Sequence, residues 1–139
     1  MTEPETRSLV VEREMPHAPE KIWRALTESP LIDEWLMKND FQPKVGHRFS
    51  FRTQPVANWS GVVDCEVLAV EKPRRLSYSW ASMGVDQVVT WTLEPTAAGT
   101  RLRMEQSGFR ADQKQAYGGA KYGWQNFLDK LERVLGGMS

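Results

Sequence analysis

Residues 113–135 carry the strongest helical pattern in the sequence and limit what the rest of the chain can fold into. Apolar residues recur there at intervals of three and four, which is the spacing of one side of an α-helix. This apolar stripe consists of Tyr117, Ala120, Trp124, Phe127, Leu128, Leu131 and Leu135. Charged and amide residues fall between them and form the solvent-facing side. The rest of the chain must therefore supply the apolar surface that this helix covers.

The glycines Gly118, Gly119 and Gly123 interrupt the stripe. Each glycine inside a helix costs about 0.8–1 kcal/mol relative to alanine. Together they cost about 3 kcal/mol, a large share of the ~5–15 kcal/mol net stability of a small domain. Either the helix becomes regular only after Gly119, or the absent side chains leave room for something, and we expect a mixture of the two. Gly123 precedes Trp124 on the apolar side, which favours a void there over close contact between helix and sheet.

The length and composition predict one globular domain over residues 1–139. Hydrophobic residues make up 40% of the chain and charged residues 26%. Lys+Arg and Asp+Glu are equal at 18 each, so no basic field exists to bind nucleic acid. No apolar run approaches the ~20 residues that span a bilayer. Residues 1–8 are polar and do not resemble a secretory signal, so we expect a cytoplasmic protein without a membrane span.

The first third of the chain predicts a strand and two short helices. Residues 7–15 alternate imperfectly between apolar and polar side chains, as in a strand. A first helix is expected over residues 19–27, with Pro19 in its first turn, where a missing N–H does no harm. Ser29 is the expected N-cap of a second helix, with Pro30 at its first position. Helices this short must pack on a sheet to be stable.

From residue 41 onward the apolar period changes to two, which indicates strands. The predicted strands cover residues 48–52, 59–70, 76–80, 88–94 and 101–106, and residues 81–86 are expected to form a loop. The alternation slips near Leu68, which predicts a bulge or bend. Short connections between consecutive strands imply an antiparallel sheet with one covered face. The predicted class is α+β: a bent antiparallel sheet wrapped round the last helix, with a hollow between them.

This order of elements resembles the helix-grip fold of the START/polyketide-cyclase-like (SRPBCC, Bet v 1-like) superfamily. Within it, the chain resembles the AHSA1 family, named for a homologue of an activator of the Hsp90 ATPase. The resemblance covers nearly all of residues 7–136. Its segments are residues 18–27, Trp35-Leu36, 45–51, Gly61, 66–80, 89–95, 99–102, Ser107-Gly108-Phe109 and 123–131.

The resemblance implies a deep apolar cavity between the sheet and the C-terminal helix, but no particular activity. Members of the superfamily bind lipids or polyketides, catalyse cyclisations, or have no known role. The eukaryotic co-chaperone carries an additional N-terminal domain, which we do not expect in this protein. We therefore do not carry Hsp90 activation over from the family name.

The candidate ligand-binding residues are large inward-facing side chains of the helices and strands. We predict that a hydrophobic or aromatic small molecule contacts Trp35, Phe51, Tyr78, Trp80, Trp91, Met104, Tyr117, Trp124 and Leu128. The alternative is that these side chains simply fill the core, and the count of six tryptophans does not separate the two. Polar groups that could orient a ligand are Tyr78, Tyr117, Tyr122, Gln106 and Arg52. The alternative for each tyrosine is a hydroxyl directed at solvent or a backbone carbonyl.

Residues suited to other chemistry are few. His17 and His47 lie in or beside predicted turns without further metal ligands at matched spacing, and we interpret both as surface residues. Cys65, the only cysteine, could be a nucleophile or an inert buried thiol. Asp64 and Glu66 could form an acid/base pair but alternate with apolar residues and are expected to face water. No phosphate-binding loop or Ser–His–Asp or HExxH pattern is present, and we expect neither metal nor cofactor.

Three classes of function therefore remain open. The first hypothesis is a protein that binds a hydrophobic or amphipathic molecule in the cavity. The second is a protein-interaction module with an exposed apolar patch, for which Trp59 and Met83 are candidates. The third is a cyclase- or hydrolase-type enzyme, which requires an ionisable group with a shifted pKa inside the cavity.

Overall fold

The computed structural model describes residues 6–55, 60–82, 85–110 and 114–138. Its elements follow the predicted order of one strand, two short helices, a series of strands and a long final helix. They are β1 (Thr6–Met15), α1 (Pro19–Thr27), α2 (Ser29–Trp35), β2 (Lys38–Asn39), β3 (Arg48–Arg52), β4 (Val62–Glu71), β5 (Arg75–Ser82), β6 (Val85–Thr96), β7 (Gly99–Arg110) and α3 (Lys114–Gly137).

The strands form one antiparallel sheet in the order β1-β7-β6-β5-β4-β3-β2. Alternate residues of each strand point to one face, and α3 packs there with both short helices. The predicted α+β helix-grip fold is confirmed. None of the helices in the described parts of the chain is long and apolar enough to cross a membrane.

The irregularity expected near Leu68 is a β-bulge in β4. The pairing between β4 and β5 shifts register between Val67 and Ala69. Val63, Cys65 and Val67 are buried before the bulge, whereas Leu68 has 43% of its surface exposed. The extra residue therefore ends the strict alternation of this long strand and increases its local bend.

Some local predictions were wrong. Glu28, not Ser29, is the N-cap of α2, because the Ser29 hydroxyl donates instead to the carbonyl oxygen of Asn39 at 3.1 Å. Residues 81 and 82 belong to β5, and Ala81 pairs with Asp86 of β6, so these positions of the expected loop are strand. Strand β2 has only two residues, too few for its alternation to be visible in the sequence.

Arg13 ties the C-terminal half of α3 to the sheet. From the inner face of β1, its guanidinium donates to Asp129 Oδ1 at 2.8 Å and Glu132 Oε2 at 2.7 Å. It also donates to the side-chain oxygen of Gln125 at 2.7 Å and to the Gln125 carbonyl oxygen at 3.2 Å. Leu128, Leu131 and Leu135 are buried along the same half of the helix. This half is therefore held by both apolar packing and a four-bond polar contact.

Candidate functional site

A cavity of about 530 Å³ lies between the N-terminal half of α3 and the inner face of the sheet. Its helix side consists of Gly119, Ala120, Gly123, Trp124 and Phe127. The opposite side consists of Met37 between α2 and β2, Thr53 after β3, Val63 of β4, Trp80 and Ser82 of β5, and Gln106 of β7. Thr53 and Gly119 are exposed and lie at its mouth.

The two helix glycines border open space. A methyl group added at Gly119 or Gly123 would meet no atom within 4 Å outside the local helix backbone. Close packing of the helix on the sheet would place a neighbour there, so tight contact does not explain these glycines. Gly123 therefore borders open space and not a closely packed neighbour. Gly118 also has no neighbour within 4 Å, but it is exposed and does not line the cavity.

Aromatic rings form the apolar wall. The rings of Trp80 and Trp124 are 5.5 Å apart at 52°, and Trp124 and Phe127 are 5.6 Å apart at 68°. Behind them, Trp91 meets Trp124 edge-on at 5.6 Å. Offset and edge-on contacts at these distances are favourable between aromatic rings. This wall suits an apolar molecule with ring character.

A buried chain of hydrogen bonds runs along one side of the cavity. The indole Nε1–H of Trp124 donates to Gln106 Oε1 at 2.7 Å, and Gln106 Nε2–H donates to Gln87 Oε1 at 2.6 Å. Trp124 and Gln106 are 3% exposed and Gln87 is 8% exposed. The chain holds the Trp124 ring in one orientation, with its only polar group bonded to Gln106.

None of the eleven described residues lining the cavity has an ionisable side chain. The polar side chains among them are the amide of Gln106, the hydroxyls of Thr53 and Ser82, and the indole of Trp124. An uncompensated charge in such surroundings is strongly unfavourable. The arrangement can hold a neutral molecule but offers, within these residues, no general acid or base.

The structure brings two of the nine predicted ligand-contacting residues, Trp80 and Trp124, to the cavity wall. The others lie outside it. Six are at most 3% exposed and pack in the core: Trp35, Phe51, Tyr78, Trp91, Met104 and Leu128. Tyr117 packs edge-on against Phe109 at 5.3 Å, under the guanidinium of Arg7. The six core residues do point inward, as expected. The cavity, however, lies nearer the beginning of β4 and the end of β5.

Of the predicted polar groups, only Gln106 lines the cavity. Tyr122 is 72% exposed and Arg52 is also exposed, bonded through Nε to Ser50. The Tyr78 hydroxyl accepts a hydrogen bond from Trp91 Nε1 at 2.9 Å, neither of the partners considered from sequence. Burial raises the pKa of the Tyr78 phenol well above its usual value.

The sequence did not single out four of the lining residues: Met37, Thr53, Val63 and Ser82. Val63 could have been predicted from the sequence, because the alternation of β4 places Val63 on the inner face and Asp64 on the outer face. The position of Thr53 depends on Gly61, whose φ is +80° and whose carbonyl accepts the Thr53 N–H at 2.8 Å. A side chain at Gly61 would collide with the Thr53 carbonyl oxygen. Met37 and Ser82 carry no signal in the sequence.

The remaining candidate groups do not form a reactive site within the described residues. Cys65 is buried, and burial raises the pKa of its thiol, with the Asp64 and Asp40 carboxylates adding to the effect, so it stays protonated. Asp64 is exposed, and Glu66 pairs with Arg48 at 3.5 Å on the outer face.

The two histidines are half-buried and engaged. Lys21 Nζ lies 3.2 Å from His17 Nδ1, and burial followed by the Lys21 charge lowers the pKa of His17. His47 Nε2 lies 2.9 Å from the Asp40 carbonyl oxygen, and its ring stacks on Phe49. In the described part of the chain, no three His, Cys, Asp or Glu residues are grouped to hold a metal. Trp59 and Met83 lie outside the described residues.

The sheet, the long helix and the cavity between them define a helix-grip protein. The sequence pattern of the family described as "Activator of Hsp90 ATPase homolog 1-like protein" matches residues 16–136. The chain belongs to this family. No curated protein matches the sequence significantly.

Solved structures are similar over almost the whole chain. Protein MLL2253 from Mesorhizobium loti is 57% identical, with a TM-score of 0.87 over 96% of this chain and 99% of that one. CalU16 from Micromonospora echinospora is 24% identical, with a TM-score of 0.78 over 94% of this chain and 76% of that one. BH1534 from Bacillus halodurans is 24% identical, with a TM-score of 0.79 over 93% and 96%. The last two show a shared fold.

Proposed function

We propose that this protein binds an apolar, ring-bearing small molecule in the cavity under α3. The observation that carries the proposal is the space of about 530 Å³ beside Gly119 and Gly123, walled by Trp80, Trp124 and Phe127. Pockets that bind small molecules usually measure about 300–1,000 Å³ and combine apolar walls with a few polar groups. The volume and the single buried amide, Gln106, agree with this description.

The glycines of α3 that line the cavity support the proposal that the cavity binds a ligand. Replacing either Gly119 or Gly123 by alanine would gain helix stability of about 0.8–1 kcal/mol without meeting any neighbouring atom. The sequence therefore keeps an open volume at the expense of stability. Proteins commonly have less stable residues at positions that shape a functional site, because the most stabilising residue there would interfere with function.

Binding is favoured over catalysis by the chemistry of the wall. An acid/base enzyme needs an ionisable group in contact with its substrate. None of the described lining residues provides one, and Cys65 and Tyr78, whose pKa values are raised, lie outside the wall. Four large apolar residues of the described chain are exposed, Val10, Val45, Leu68 and Tyr122, which is too few to form the large apolar patch that marks a docking surface.

Native mass spectrometry of freshly purified protein tests the proposal, followed by thermal unfolding with a panel of neutral aromatic and aliphatic compounds. We expect either a retained small molecule or a rise in Tm that grows with ligand concentration, because a ligand that binds only the folded state stabilises it by mass action. A protein that carries no extra mass and whose Tm responds to none of the compounds would contradict the proposal.

A further inference from the structure

The amide of Gln106 is the one buried amide on the cavity wall among the described residues. It accepts from Trp124 Nε1 at 2.7 Å and donates to Gln87 Oε1 at 2.6 Å. An indole N–H can only donate, so it must face the oxygen of the Gln106 amide. The nitrogen of that amide must then face Gln87. The bonding pattern thus fixes which end of Gln106 is which.

The nitrogen of Gln106 carries two hydrogens, and Gln87 accepts one of them. The other has no acceptor in the described part of the chain. The Ser82 hydroxyl donates to the Val62 carbonyl oxygen, Thr53 is exposed at the mouth, and neither hydroxyl is bonded to Gln106. Gln106 therefore provides a buried hydrogen-bond donor in a space whose wall is mostly apolar.

We propose that Gln106 donates this second hydrogen to an oxygen of the bound molecule and so selects neutral ring compounds that carry a carbonyl or similar acceptor. This inference rests on the proposed binding function and adds the chemical class of the ligand. The ligand is neutral because the described wall has no charge to pair with. A ligand oxygen placed there gains a partner, whereas a pure hydrocarbon leaves the donor unmatched.

Fluorene and 9-fluorenone provide a matched pair of probes, because they share one flat tricyclic skeleton and differ by a carbonyl oxygen. Calorimetric titration of the full-length protein should show that 9-fluorenone binds about fivefold more tightly, as expected for one net hydrogen bond. The infrared carbonyl band of bound 9-fluorenone should lie below its position in a hydrocarbon solvent. This second measurement needs no variant.

Gln106→Glu removes the second hydrogen and keeps the rest of the chain of bonds. An ionised glutamate accepts from Trp124 and from a rotated Gln87 amide, and a protonated one has a single hydrogen, which Gln87 accepts. The variant should bind both probes equally. Gln125→Glu is the control, since it makes the same chemical change on the exposed side of α3, next to Arg13. It should keep the wild-type preference.

The outcomes separate the two proposals. If the wild-type protein binds neither probe, the proposed function is contradicted for compounds of this class and the inference is overturned with it. Equal affinity for both probes, or an unshifted carbonyl band, overturns the role of Gln106 and leaves the binding function intact. A preference that survives in Gln106→Glu also overturns it, because the donor must then be another group.

Discussion

Gly123→Leu tests whether the space under α3 is the place where a ligand binds. The substitution should gain about 1 kcal/mol from helix propensity. The new side chain meets no atom within 4 Å at its Cβ and extends into the cavity, so partial burial against Trp80 and Trp124 should add about 1 kcal/mol. The sum of about 2 kcal/mol predicts a Tm about 6–10 °C higher in the absence of ligand. Affinity for a cavity ligand such as 9-fluorenone should fall at least about tenfold, because the side chain occupies part of its place.

Gly118→Leu is the matched control for this prediction. Gly118 belongs to the same helix and also has no neighbour within 4 Å, but it is exposed and outside the cavity wall. This variant should gain only the propensity part, about 1 kcal/mol or about 3–5 °C in Tm, and should keep wild-type affinity. Thermal unfolding and calorimetric titration measure both quantities for the two variants.

Two results would refute the reasoning. A Gly123→Leu protein that is less stable than the wild type would mean that the glycine is required by close packing rather than bordering a void. A Gly123→Leu protein that is more stable and binds as well as Gly118→Leu would mean that the ligand occupies another place.

Three further experiments, two with variants and one with the wild-type protein, test the packing around the cavity. Tyr78→Phe should cost about 1–3 kcal/mol in urea unfolding, because Trp91 Nε1–H loses its buried acceptor. Burial raises the pKa of Tyr78, so the phenol keeps its proton in the folded state but loses it in the unfolded state above about pH 10. The stability of the wild-type protein should therefore fall as the pH rises above about 10. It should fall more steeply than the stability of Tyr78→Phe, which lacks this phenol. Arg13→Lys should cost about 1–2 kcal/mol, since an ammonium cannot reproduce the forked contacts with Asp129 and its neighbours; equal unfolding midpoints would contradict this. Cys65 should react with a disulfide reagent at least about a hundredfold more slowly in the native protein than in urea, and fast native labelling would refute its burial and raised pKa.

The sequence predicted the fold well because periodicity reports which side of an element is covered. The stripe of α3, the alternation of the strands and the slip near Leu68 all reflect local backbone geometry and are visible in the residues themselves. The glycines were informative for the same reason, since Gly123 interrupts a pattern that otherwise continues. Strand β2 and the last two residues of β5 were missed because short pairings depend on neighbouring strands and not on their own side chains.

The cavity was predicted less completely. Alternation shows that Phe51, Trp91 and Met104 point inward, but not which inward residues border a gap. That depends on how far α3 lies along the sheet, which is fixed by contacts distant in sequence, such as the bond from Arg13 to Asp129. Nothing in the sequence around Arg13 indicates that its partner is Asp129 of α3. The bond of Trp124 to Gln106 was hidden for the same reason.

The two halves of α3 separate the residues that keep the protein folded from those that shape its cavity. Truncating Leu128, Leu131 or Leu135 to alanine would remove about 2–5 kcal/mol of stability each, because these side chains are buried in the core. Small side chains added at Gly119 or Gly123 meet no neighbouring atom and alter mainly the size of the cavity. Under the proposed function, descendants of such a chain can change which molecule they bind through substitutions on a single helical turn, without first acquiring compensating changes elsewhere.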